Sequence, residues 1–344
     1  MPVVDPAINP RRYDTMKNSK HISLALVIFM LIGLCAACAP SGTVDIPNPE
    51  DAVIAEDVII DLSMEMVPLS AFPAVSTLLL PIASGTLVER NTKAEIDYSN
   101  TGDGYVMVKW LIATTTKQLR VQVIGPTGAT YTYTIKPGDK YEVFPLSDGN
   151  GTYTVRVMEQ TEGSKYAAAI SIKVNVTLKD QFAPFLRPNQ YVNYNADSKV
   201  VAKAAELLKG QNDFTSKIAA VYKFVVEGFT YDKERAQTVK SGYLPDVDDV
   251  LAKKKGICFD YAAVMAAMLR SQGVPVKLVV GYAGDVYHAW LSVYSDATGW
   301  VTGIFFDGKN WQLMDPTFES TSKNSSAFQE FIGDGSNYTA KYLY

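Results

Sequence analysis

Gly256-Ile-Cys-Phe-Asp-Tyr-Ala-Ala-Val-Met-Ala-Ala-Met-Leu-Arg-Ser-Gln-Gly273 is the stretch from which the fold can be read. After Gly256 the residues are strong helix formers, with Met265, Met268 and Leu269 at core spacing and Gly273 placed to end the helix. Cys258 therefore falls in the first turn of a buried helix. Unpaired backbone N–H groups and the positive end of the helix dipole favour a thiolate there. Asp260, two residues on, also suits a helix N-terminus, which is a structural reason for its presence.

Downstream the pattern changes to strands. Val276-Lys-Leu-Val-Val-Gly-Tyr282, Val286-Tyr-His-Ala-Trp-Leu-Ser-Val-Tyr294, Trp300-Val-Thr-Gly-Ile-Phe-Phe306 and Asn310-Trp-Gln-Leu-Met-Asp315 are β-rich, with turns at Gly284-Asp285 and Gly308. An antiparallel sheet packed against the Cys258 helix is expected. His288 lies in the second strand and Asp315 at the end of the last, and neighbouring strands can bring the two side chains together. A thiol, an imidazole and a carboxylate so arranged form an acyl-transfer site. The imidazole takes the thiol proton and later protonates the leaving amine, while the carboxylate fixes the ring's tautomer. Taken singly, a buried Cys is most often an inert small hydrophobe and a lone His a satisfied polar group. Here, however, the chain after residue 37 holds one His, His288, and two Cys, Cys38 and Cys258.

Gly-Ile-Cys258-Phe-Asp-Tyr-Ala, Tyr-His288-Ala-Trp290 and Asp307-Gly-Lys-Asn-Trp311-Gln-Leu-Met-Asp315-Pro-Thr317 resemble the three signature blocks of the transglutaminase-like superfamily, which shares the papain-like Cys-His-Asp arrangement. Phe229-Thr-Tyr-Asp232 and Asp248-Asp-Val-Leu251 resemble the approach to its catalytic Cys. The resemblance covers roughly residues 200–320 and implies Cys258 as nucleophile, His288 as general base and acid, and Asp315 as the orienting group. It also implies an oxyanion donor from the Cys258 backbone N–H and an upstream aromatic, for which Tyr231 is the candidate. Lys253-Lys-Lys255 reads as a solvated loop, Asp246-Val-Asp-Asp249 as a helix cap, and Trp290, Trp300 and Trp311 as core and site walls.

Upstream, from about residue 86 to 178, the period is two. Tyr105-Val-Met-Val-Lys-Trp110, Leu119-Arg-Val-Gln-Val123, Tyr131-Thr-Tyr-Thr-Ile135, Tyr141-Glu-Val-Phe144 and Tyr153-Thr-Val-Arg-Val157 are separated by Gly- and Pro-rich turns. About seven short strands at this spacing predict a β-sandwich of immunoglobulin type. Asp148-Gly-Asn-Gly-Thr152 lacks the distal acid of a calcium loop and reads as a hairpin turn. Ala183-Pro-Phe-Leu-Arg-Pro-Asn-Gln190 breaks regular structure. Two helices follow, one with Val200, Val201, Ala204, Leu207 and Leu208 on one face, the other with Phe214, Ile218, Val221, Tyr222 and Val225.

At the N-terminus, Lys17 and Lys20 precede an apolar run from Ile22 to Ala37, shorter than the roughly 20 residues of a membrane span. Leu34-Cys-Ala-Ala-Cys38 resembles a bacterial lipoprotein cleavage box, making Cys38 the candidate lipidated residue, with Met16 an alternative start. A plain uncut anchor is the other reading. Both place the remainder outside the cytoplasm.

The expected class is α+β: an N-terminal all-β immunoglobulin-like sandwich followed by a transglutaminase-like, papain-like domain. The expected order is a signal peptide at 1–37, a tether at 38–85, the sandwich at 86–182, the catalytic domain at 190–325 and a tail at 326–344. Of 344 residues, 47% are apolar and 20% charged, with a formal charge of −4. Removing residues 1–37 takes away four basic and two acidic residues, leaving 28 and 34. That balance speaks against nucleic-acid partners, and the Cys and His counts against a zinc site or a disulfide scaffold. No cofactor-binding pattern and no calcium signature is found. The expected activity is acyl transfer on a glutamine side chain or peptide of an extracellular protein, on a chain held to the membrane by lipid. A cysteine peptidase or amidase acting on cell-wall or other extracellular peptides, and a non-catalytic surface adhesion or scaffold lipoprotein, are the alternatives.

Overall fold

A computed structural model describes residues 78–295, 299–302, 304–306, 311–313 and 336–344. The signal segment, Cys38 and Asp315 lie outside the described residues. Strands β1 (Val88–Arg90), β2 (Ala94–Asp97), β3 (Tyr105–Trp110) and β6 (Gly138–Pro145) form one four-stranded antiparallel sheet in that order. Strands β4 (Leu119–Ile124), β5 (Thr130–Thr134), β7 (Gly151–Glu162) and β8 (Lys165–Val176) form a second, in the order β5-β4-β7-β8. The period-two pattern explains their packing. Val121 and Val123 of β4 pair with Val157 and Val155 of β7, all fully buried, and join Ile96, Val106, Val108 and Trp110 of the first sheet in one core. Each such side chain contributes about 1.5–3 kcal/mol on burial.

One turn differs from its sequence reading. Asp148–Thr152 connects β6 to β7, which belong to different sheets, so it is a crossing rather than a hairpin. Gly and Asn serve either purpose, and the choice is made by tertiary bonds. Asp148 accepts from the hydroxyls of Thr127 and Tyr131, both at 2.6 Å, and the Tyr153 hydroxyl donates to the Gly149 carbonyl at 2.9 Å.

Five helices follow: α1 (Lys199–Leu207), α2 (Phe214–Gly228), α3 (Lys233–Thr238), α4 (Val247–Lys253) and α5 (Cys258–Arg270). Asp213, Asp232 and Asp246 cap α2, α3 and α4 by accepting from the backbone N–H of Ser216, Arg235 and Asp249. In α5 every residue but Phe259 is buried, and the small side chains of Ala262, Ala263, Ala266 and Ala267 let the surrounding elements approach closely. α1, α2 and α4 pack against it. So do the strands β11 (Val276–Ala283) and β12 (Val286–Ser295).

β13 (Gly299–Thr302) and β16 (Tyr338–Leu343) complete that third sheet, in the order β13-β12-β11-β16. The predicted continuous strand over 300–306 is broken into β13 and β14 (Ile304–Phe306), and β14 pairs with β15 (Trp311–Leu313) as a separate two-stranded unit. The segment read as a closing tail supplies β16, in which Tyr338, Ala340 and Tyr342 alternate with the exposed Thr339 and Lys341. Where β16 crosses β11, a Cβ on Gly281 would lie 2.0 Å from the Thr339 carbonyl oxygen, so only glycine admits the crossing.

The two faces of this sheet enter different cores. Leu278, Val280, Ala289, Leu291 and Val293 pack with α5, whereas Val279, Trp290, Tyr294, Trp300 and Leu343 pack with Phe182, Phe185 and Leu186. The segment read as a boundary thus joins the sheets: Arg187 donates to Asp103, and Gln190 to the Thr134 carbonyl. Leu79, in the segment read as tether, also packs on the second core. Tyr344 meets the rings of Tyr131, Tyr133 and Tyr191, and Arg270, at the C-terminal end of α5, donates to the carbonyls of Val276, Arg187 and Tyr344. Among the described residues no helix is long and apolar enough to cross a membrane.

Lys277, on β11, is 2% exposed, with its ammonium 4.0 Å from the Trp300 ring centroid and 5.1 Å from that of Phe185. Burial lowers its pKa to about 7, although the ring faces favour the charged form. The folded pKa lies below the unfolded one. Stability from this group is therefore lowest below pH 7 and rises as the pH climbs towards 10.5. Lys277→Met is expected to stabilise the protein by about 2 kcal/mol at pH 6, with the advantage shrinking by pH 10, as read by denaturant titration at both pH values.

Candidate active site

Cys258 is the first residue of α5 and 7% exposed, following Ile257 in an extended conformation. Its turn is held by Asp260, whose side chain is fully buried. Asp260 accepts from the Ile257 backbone N–H at 2.9 Å, the Tyr243 hydroxyl at 2.6 Å and the Arg235 guanidinium at 3.2 Å. A carboxylate out of water requires such partners, since a buried charge without them costs several kcal/mol. Arg235 also lies over the Tyr243 ring, 5.5 Å from its centroid. Burial and the Asp260 carboxylate together push the Tyr243 hydroxyl above its ordinary pKa, keeping it a donor. A Cβ on Gly256 would meet the Asp260 Cβ at 2.5 Å, which explains a glycine two residues before the thiol.

The approach to this turn is a short parallel pair, β9 (Thr230–Tyr231) and β10 (Lys255–Gly256), with Tyr231 opposite Gly256. Tyr231 is thereby set beside the Cys258 turn, its ring 6.4 Å from that of Tyr261. Asp232 caps α3 and pairs with Lys255 at 3.1 Å. Partial burial opposes ionisation of Asp232, but the Arg235 N–H and Lys255 outweigh it and hold the carboxyl below its usual range. Lys253 pairs with Asp249 at 2.8 Å and Lys254 lies over the Phe224 ring, so each of the three lysines has a partner of its own.

His288 stands on β12 opposite Gly281 and is 3% exposed. It stacks on Trp290 with ring centroids 6.1 Å apart, and the Tyr338 ring lies at 6.5 Å. α5, which begins with Cys258, packs against β12, which carries His288, but His288 shares the face of β12 that holds Trp290 and Tyr294, opposite the Ala289, Leu291 and Val293 face that packs with α5. Arg235 and Tyr243 were not found from the sequence. They lie 25 and 17 residues before Asp260 with no periodicity linking them, and the one available signal was a carboxylate in a strongly apolar helix. No group of three or more His, Cys, Asp or Glu side chains able to hold a metal occurs among the described residues.

Residues 201–316 match the sequence profile of the Transglutaminase-like superfamily. This segment is a transglutaminase-like domain. Its span takes in most of α1, all of α2 to α5 with Cys258 at the start of α5, the strand carrying His288, and Asp315. Among individual proteins, the domain is similar to a protein-glutamine gamma-glutamyltransferase of Pseudomonas aeruginosa, 28% identical over 159 residues, which is 44% of this chain and 23% of that protein. It is also similar to the uncharacterized protein YebA of Bacillus subtilis, 29% identical over 124 residues, which is 30% of this chain and 17% of that protein. The chain spans less than a quarter of the length of either relative. The periplasmic domain of TgpA from Pseudomonas aeruginosa aligns over 69% of this chain and 76% of its own, at 17% identity and a TM-score of 0.30.

Proposed function

We propose that the transglutaminase-like domain is a thiol acyltransferase, with Cys258 as nucleophile, His288 as general base and acid, Asp315 as the group that orients His288, and Tyr231 as an oxyanion donor beside the Cys258 N–H. The observation that carries this reading is Cys258 at the N-terminus of the buried α5, in a turn fixed by Asp260 within the matched segment. In the reaction, the Cys258 thiolate attacks a glutamine side-chain carbonyl and His288 protonates the departing ammonia, leaving a thioester. An amine or water then attacks the thioester, His288 takes its proton, and the thiol is regenerated. Transamidation and hydrolysis share the first half and differ only in this second nucleophile.

The test supplies the full chain with a blocked glutaminyl-glycine dipeptide and a dansylated alkylamine. Release of ammonia with incorporation of the amine is expected for a transferase, and release without incorporation for a hydrolase. Absence of both, with peptide bonds also left intact, would contradict the reading.

Two further assignments accompany it. Cys38 is proposed as the site of a lipid anchor that holds the chain on the outer side of the membrane, supported by the Leu34-Cys-Ala-Ala-Cys38 box. The two N-terminal sheets are proposed to be an immunoglobulin-type sandwich. The order β2-β3-β6 against β5-β4-β7-β8 and the Tyr153 hydroxyl bonded back to Gly149 support this, since both recur in that fold.

A further inference from the structure

A cleft of about 330 Å3 opens where the second N-terminal sheet meets the segment between α3 and α4. One wall is built from the start of β4 and the end of β5, the other from Ser241 and Gly242. Among the described residues three cations line it, Lys117, Arg120 and Lys136, and no acid does, in a chain whose formal charge is −4. Arg120 is 6% exposed, yet among the described residues its guanidinium donates to neutral oxygens, those of Leu119, Thr134 and Gln118, and lies over the Tyr166 ring at 5.5 Å, with no carboxylate against it. A guanidinium so far removed from water normally faces a carboxylate. Lys117 has Glu159 no nearer than 4.0 Å, and Lys136 enters no ion pair among the described residues.

The position relative to the Cys258 turn is close. Tyr243, the residue after Gly242, donates its hydroxyl to Asp260, and its ring centroid lies 6.4 Å from that of Phe259, the neighbour of Cys258. From the other wall, the Thr134 carbonyl accepts from Gln190, and the adjacent Tyr191 ring lies 5.5 Å from that of Phe259. Both walls are thus tied to the first turn of α5.

We propose that this cleft is a docking site for an acidic segment of the acyl-donor polypeptide, its carboxylates held by Lys117, Arg120 and Lys136 while a glutamine elsewhere on the same chain reaches Cys258. The inference rests on the acyl-transfer reading for its consequence but not for the binding itself. A polypeptide is favoured over a polyphosphate because the exposed Pro137 ring gives the cleft an aliphatic wall that a phosphate chain leaves unused. The N-terminal sheets would then contribute half of a substrate site.

The test measures binding of a fluorescein-labelled hexaglutamate peptide to the full chain by anisotropy, beside the double variant Lys117→Glu/Lys136→Glu. Lys117 is about half exposed and Lys136 lies at the surface, so the variant is expected to fold. The expected result is saturable, salt-sensitive binding that the variant weakens about ten-fold, with the rate of Cys258 alkylation unchanged. For a glutamine substrate with an acidic flank, the variant should raise KM and leave kcat as it was. Equal affinity for both proteins, equal binding of a hexalysine peptide, or tighter binding of inorganic polyphosphate than of the peptide would overturn the proposal. Failure of the acyl-transfer reading is distinguishable, because it would abolish turnover while leaving peptide binding and its loss in the variant intact.

Discussion

Cys258→Ala is expected to abolish release of ammonia from a glutamine substrate, and His288→Ala to lower kcat by about three to four orders of magnitude with little change in KM. The asymmetry follows from the chemistry. Without the thiol no thioester forms. Without the imidazole the thiol can still attack, but nothing takes its proton or protonates the leaving ammonia. The double variant should be no worse than Cys258→Ala alone, because the two groups act as a unit. Both side chains are buried, so each variant needs a matched unfolding curve. Cys258→Ala removes one sulfur from a tightly packed site and should cost about 1 kcal/mol. A loss of activity larger than that change in folded fraction can explain then belongs to the chemistry.

The second large effect concerns stability. Asp260→Ala should destabilise the protein by about 3–5 kcal/mol, measured by denaturant titration. The substitution takes the buried carboxylate from the Arg235 guanidinium, which keeps the Tyr243 hydroxyl at 2.9 Å and Asp232 at 4.0 Å, removes the acceptor of the Tyr243 hydroxyl and of the Ile257 N–H, and opens space beneath Gly256. Asp260→Asn preserves the shape and should cost less. Combining Asp260→Asn with Arg235→Leu should recover part of that loss, since the uncompensated cation is then removed as well. Independent, additive effects of the two substitutions would show that Arg235 and Asp260 do not depend on one another.

The legibility of the sequence varied with the range of the forces involved. The Cys258 helix could be read because its signals are local: helix formers in series, core spacing at Met265, Met268 and Leu269, and glycines flanking the element. The paired strands β11 and β12 were equally clear, each alternating on both sides of the Gly284-Asp285 turn. Partnerships between distant segments were not. β16 reads as a polar tail, because a strand at the sheet's edge needs only every second residue apolar and Thr339 and Lys341 mask the rest. Asp148–Thr152 carries hairpin chemistry but serves as a crossing between sheets, a choice made by Thr127, Tyr131 and Tyr153. The Asp260 network likewise joins residues from α3, a loop and α5, and no spacing rule connects them. The same holds for the cationic cleft, whose lining comes from β4, β5 and the segment before α4.

Cys258 acting as the nucleophile with His288 as its base is most directly tested by the rate of Cys258 alkylation by iodoacetamide at neutral pH. Cys35 and Cys38 are replaced by serine so that a single thiol is followed, and the native His288 protein is compared with His288→Ala. Alkylation about ten-fold faster in the native His288 protein than in His288→Ala is the expected result. Equal rates in the two proteins, or reaction in neither, would contradict it.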